Sequence, residues 1–238
     1  NTLGSALRVP TYAEHHFSDF SQLEGSLGIQ IHWPREQEFI SFLSENSFMP
    51  IVVSRHPLDI FCSMMHFIRH EPETSRWLGG KVDIPPVLKH HSPASAAFLD
   101  YATSTGAEHL LSVTHGWWQD PAAMKLRYED AVSEGAVAFA RSLQRLGLVE
   151  SDFAAPLVDN NLAAFQATPN HHGWQGKPGL WKEIIPRDAA GAIYERHRRV
   201  FDTLQYAIDG ASASVEDARA RWQQLVVGHS GRALWMGD

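Results

Sequence analysis

The segment IVVSRHPLDIFCSMMHF, Ile51 to Phe67, places a run of β-branched residues directly before a serine, an arginine and a proline. β-Branched side chains fit a pleated surface, and such a run reads as a short strand buried on both faces. Pro57 presets φ for a first helical position, and Asp59 falls in the first turn, where the helix dipole favours negative charge. The segment therefore predicts strand, turn and helix, with the cation of Arg55 at the junction.

The same alternation extends outward. Leu27–His32 (LGIQIH) reads as a strand ending at Trp33-Pro34, and Glu36–Asn46 sets Phe39, Ile40 and Leu43 at helical spacing. The helix from Pro57 carries Ile60, Phe61, Met64, Phe67 and Ile68 as a core-facing stripe and ends by Glu71-Pro72, because a residue before proline is pushed out of the helical region. Leu78–Pro93, rich in Gly, Pro and His, reads as a surface excursion. Ala94–Trp118 is helical in pattern with a break near Gly106, Ala123–Tyr128 (AMKLRY) is a third strand, and a helix over Asp130–Leu146 closes at Gly147. Thr168–Gly179 is a loop or lid, since its Gly and Pro content defeats any period, and Pro186–Ile208 returns to helix. Strands alternating with helices predict one α/β domain over residues 1–238, a three-layer α/β/α arrangement with a mostly parallel central sheet.

Composition bounds the function. A chain of 238 residues that is 44% hydrophobic and 20% charged is large enough for one sizeable core. Its net charge of -7 argues against a broad nucleic-acid-binding face while leaving room for a local anion site. The one cysteine, Cys62, excludes an intramolecular disulfide and lies among apolar residues, where a small core residue is the stronger reading than a nucleophile. No apolar run approaches the ~18 residues of a membrane helix and no secretion signal opens the chain, so a cytoplasmic protein is expected. Fourteen histidines prompt a metal check. His66 and His70 share a helix face but lack a third ligand nearby in sequence, and no metal is expected. The chain does not begin with Met, and Asn1–Leu7 reads as the late part of a helix.

With these residues in view, VVSRHPLDIFCSMMHF resembles the motif by which sulfotransferases hold the 3′-phosphate of 3′-phosphoadenosine 5′-phosphosulfate (PAPS): a strand ending in Arg, then x-P-x-D, and a Ser eight residues after the Arg. IQIHWP resembles that family's strand ending in a catalytic His, HGWWQDPAAMKLRYED its Trp-rich helix end, strand and Tyr-Glu-Asp, and GKPGLWKE its nucleotide-closing loop. The ordered set spans about Ile29 to Glu183 and implies a P-loop-type nucleotide-binding fold. It implies His32 as general base, and Arg55, Ser63, Tyr128, Gln175, Gly176 and Lys177 on the nucleotide side, with PAP, the 3′,5′-bisphosphate, as product.

Physical chemistry supports part of this independently. A dianionic phosphate suits a planar guanidinium that makes two charge-assisted bonds, and Arg55 precedes a helix N-terminus. Taken alone, Arg55 also reads as half of a surface ion pair, Ser63 as a solvated helix residue, His32 as a structural histidine and Tyr128 as a core aromatic. Trp33 and Phe67 either wall an acceptor pocket or pack. His16, in Thr11–Phe20, joins them as a candidate acceptor contact, because loops on a rigid scaffold carry specificity.

The chain departs from the family in having Gln30 where a Lys is usual and Trp174-Gln175 where a basic pair is usual. No Lys-Ser-Gly-Thr-like loop occurs, and the resemblance places that 5′-phosphosulfate cradle, with its strand and part of the first helix, ahead of Asn1. The expected activity is sulfuryl transfer to a small-molecule hydroxyl or amine. The alternatives are a non-catalytic 3′-phosphoadenosine nucleotide-binding protein and a kinase-like phosphotransferase on a related fold.

Overall fold

The computed structural model describes residues 2–14, 25–70, 77–78, 80–166, 174–210 and 213–233. In chain order these form α1 (Thr2–Leu7), β1 (Thr11–Glu14), β2 (Gly28–Ile31), α2 (Gln37–Glu45), β3 (Ile51–Ser54), α3 (Pro57–Phe67), α4 (Ala96–Ala102), α5 (Thr105–Trp118) and β4 (Met124–Arg127). There follow α6 (Tyr128–Glu134), α7 (Ala136–Ser142), α8 (Glu150–Asp159), α9 (Leu162–Gln166), α10 (Trp181–Ile184), α11 (Arg187–Arg196), α12 (Arg198–Leu204) and α13 (Val215–Ala233). Contacts divide the chain into two compact units: the described residues of Asn1–Arg55 with Ser112–Ala167, and those of His56–Leu111 with Thr168–Asp238.

The first unit holds the strands, and among the described residues all pairing is parallel, as the α/β reading expects, in two two-stranded sheets rather than one central sheet. β1 lies beside β2, with Thr11 opposite Gly28, and β3 beside β4, with Ile51 opposite Met124 and Ser54 opposite Arg127. β1 falls in the Thr11–Phe20 stretch that the sequence suggested as a specificity loop. Parallel neighbours need long crossovers, and between β3 and β4 the chain runs through α3, α4 and α5. Phe39, Val52, Trp117 and Ala123 form a core cluster with Ile29, Ile31 and Trp33 against it, while Met124, Leu143 and Phe153 form another. β3 is not buried on both faces: Val52 and Ser54 are buried but Val53 is 50% exposed, so the strand alternates with the two-residue period of a sheet covered on one face. The helix expected over Asp130–Leu146 is instead α6 and α7, broken at Gly135, with a 3-10 turn Gln144–Leu146 running into Gly147.

In the second unit α3 is almost entirely interior. Leu58, Phe61, Cys62 and Met65 are fully buried, Cys62 as the core residue its neighbours suggested. Phe61 meets Phe98 of α4 edge to face at 6.1 Å. Trp181 and Phe201 are equally enclosed, and each such side chain contributes about 1.5–3 kcal/mol on burial. The break in Ala94–Trp118 comes at Thr103–Ser104, ahead of Gly106, because Ser104 Oγ accepts the Ala107 N–H and so starts α5. Leu78–Pro93 is less of a surface excursion than its composition suggests: Val82 and Leu88 are fully buried, and Pro86–His90 is a 3-10 helix. Among the described residues no helix is long and apolar enough to cross a membrane, and no group of three His, Cys, Asp or Glu could hold a metal ion.

Candidate functional site

Register brings the first two site residues together. Because Ser54 and Arg127 are opposite partners at the carboxyl ends of β3 and β4, the next residues in each chain, Arg55 and Tyr128, are neighbours. The Arg55 guanidinium lies over the Tyr128 ring, 4.6 Å from its centre. A cation on the ring's negative face is attracted to it, and an arginine grips phosphate through its N–H edge.

His32 follows β2 directly and is exposed. The segment after it is pinned by the end of α5 and the turn beyond. Trp117 Nε1–H donates to the Trp33 carbonyl at 2.9 Å, and Trp33 meets Phe39 edge to face at 6.5 Å, so Trp33 packs. Arg35 Nε donates to Asp120 at 2.7 Å, and Asp120 also accepts the Ala122 N–H at 2.8 Å. Burial opposes the charge on Asp120, yet the Ala122 N–H and the Arg35 guanidinium hold its carboxyl below the ordinary value. A depressed folded-state value means that this contribution is complete above the unfolded value, about 3.9, and is lost as pH falls through the folded one.

The remaining candidates lie in the second unit along α3. Asp59, Ser63 and His66 recur at helical spacing and share one face. Fully buried Asp59 accepts the Gly179 N–H at 2.6 Å and the Trp181 N–H at 3.0 Å, while the His66 ring stacks on Trp174 with centres 4.4 Å apart. The stretch Trp174–Trp181, which contains Gln175, Gly176 and Lys177, is thus held near both ends to one face of α3. Gly176 and Gly179 have φ of +61 and +78, a left-handed backbone that favours glycine. Lys177 is ion-paired with Glu183, which also accepts from Arg221 at 2.8 Å. Phe67 stacks on Trp77, centres 5.4 Å apart. His56 caps α3: its Nδ1 accepts the Leu58 N–H at 3.3 Å, which leaves Nε2–H to donate to the Ala207 carbonyl at 3.1 Å. His16 lies outside the described residues.

Replacing Asp59 by Ala strands one buried and one part-buried N–H group and should cost on the order of 2–4 kcal/mol in urea unfolding, whereas Asp59→Asn, which keeps an acceptor, should cost less. Equal losses for the two variants would show that the carboxylate's hydrogen bonds are not what holds the loop. Sequence reasoning placed Asp59 only on the helix dipole and missed the Arg35–Asp120 pair, which joins residues 85 apart. The signal present was each Asp's place within two residues of a proline, in Pro57-Leu58-Asp59 and Asp120-Pro121.

Parallel strand pairs, a strand-end arginine over a strand-end tyrosine and a loop tied back to α3 are the features on which the fold comparison bears. The structure matches the crystal structure of mouse sulfotransferase SULT7A1 complexed with PAP, with a TM-score of 0.58 and 15% identity, over 84% of this chain and 78% of that one. No protein-family model and no curated protein sequence matches the chain.

Proposed function

We propose that the protein moves a sulfuryl group from PAPS to the hydroxyl, or amine, of a small acceptor. The observation that carries this reading is Arg55 stacked on Tyr128 at the ends of adjacent parallel strands, a cation oriented by an aromatic face on the fold of a sulfotransferase. The residues suit the nucleotide, each in its own unit: Arg55 has the donors for a phosphate, Ser63 carries a hydroxyl, and the glycine-bearing backbone of Gly176–Gly179 lets a ligand approach closely.

In this mechanism His32 takes the proton from the acceptor hydroxyl. The acceptor oxygen bonds to sulfur in line as the bond from sulfur to the 5′-phosphate oxygen breaks, and PAP departs with the electron pair. The side chain at Gln30 leaves a neutral group two residues before the base. Catalysis then rests on positioning and charge rather than on a covalent intermediate.

Titration calorimetry with PAP and with adenosine 5′-phosphate tests the reading. Binding should favour PAP by tenfold or more, since each charge-assisted bond to the extra phosphate contributes about 1.5–3 kcal/mol. Equal affinities would overturn it.

A further inference from the structure

A concavity of about 430 Å³ in the second unit is walled by Arg69 beyond α3, by His90, His91 and Ser95, and by Arg219 and Trp222 of α13. Among the described residues that line it, none is a carboxylate. In a chain of net charge -7, such a surface runs against the average. Among the described residues the ion pairs involve neither Arg69 nor Arg219. Arg69 Nη1 donates to the Lys89 carbonyl at 2.8 Å, which fixes the guanidinium while using only one of its five N–H donors. Burial pushes the Arg69 guanidinium below its ordinary value, the mark of a partly desolvated cation, for which a counter-anion is worth more than in open water. The apolar wall is stiff: Trp222 is 4% exposed and meets Trp174 edge to face at 5.8 Å. The volume lies in the range of small-molecule sites.

We infer that this concavity binds a small organic anion, its carboxylate, phosphate or sulfate held between Arg69 and Arg219 and its apolar part set against Trp222. It shares no residue with the candidate nucleotide site and stands whether or not that reading holds.

The test uses phenyl phosphate as probe, followed by calorimetry in an Arg55→Ala background that silences the other candidate anion site. Saturable binding should persist there and weaken at least tenfold on adding Arg69→Gln and Arg219→Gln, with phenol, which lacks the anion, failing to bind. Because Arg69 also holds the Lys89 carbonyl, Arg219→Gln alone, on an exposed helix position, serves as the second variant and should weaken binding at least threefold. Absence of saturable binding in the Arg55→Ala protein, or unchanged affinity in a folded arginine variant, would overturn the inference.

Discussion

Replacing His32 by Ala or Gln should lower turnover by about 10²–10⁴, the usual contribution of a positioned general base, and leave PAP affinity almost unchanged. His32 is exposed at the end of β2. The following segment is fixed by the Trp117 hydrogen bond to the Trp33 carbonyl and by the Arg35–Asp120 pair, neither of which uses the imidazole. The wild-type rate should fall on acidification because a protonated imidazole cannot take the hydroxyl proton, and the His32→Ala protein should lose that dependence. A merely structural histidine gives a different pattern, a lower melting temperature with normal turnover per folded molecule. Single-turnover transfer to an acceptor used by the wild-type protein, combined with nucleotide calorimetry on each variant, separates the two. Near-normal turnover in the folded variant would remove His32 from the mechanism.

Local chemistry was legible in the sequence and tertiary pairing was not. Ile51–Ser54 is a strand and Pro57 opens a helix because β-branching and a fixed φ act within a few residues. Which face of that strand is covered depends on what packs there, and Val53 is exposed although its side chain is as apolar as that of Val52. Gly135 splits the helix expected over Asp130–Leu146, where the apolar period continues through it. Leu78–Pro93 has the composition of a loop, yet it buries Val82 and Leu88. At the site, Arg55 and Tyr128 could each be picked out, but their stacking follows from the β3–β4 register, which no local pattern encodes. Asp59 is the sharpest case. A first-turn acid is explained by its own helix dipole, and nothing in the segment announces that it grips the backbone at Gly179, 120 residues on.

Arg55→Ala should erase most of the preference for PAP over adenosine 5′-phosphate, by about tenfold or more, with little change in affinity for the nucleotide lacking the 3′-phosphate. The loss is specific because the guanidinium's planar fork, not its charge alone, matches a phosphate, and Tyr128 holds that guanidinium over its ring. Arg55→Lys tests the distinction. A lysine keeps the charge but offers a flexible point donor, so it should recover only part of the preference, and the gap between Lys and Arg measures the value of bidentate geometry. Tyr128→Leu should act in the same direction and more weakly, since it removes a cation–π contact of about 0.5–2 kcal/mol that orients the arginine without touching its charge. Each variant should stay folded, because Arg55 is only half-buried and the core of its unit is built from Phe39, Val52 and Trp117. If the folded Arg55→Ala protein still prefers PAP as strongly as the wild type, the 3′-phosphate is held elsewhere, and Arg55 is not its anchor.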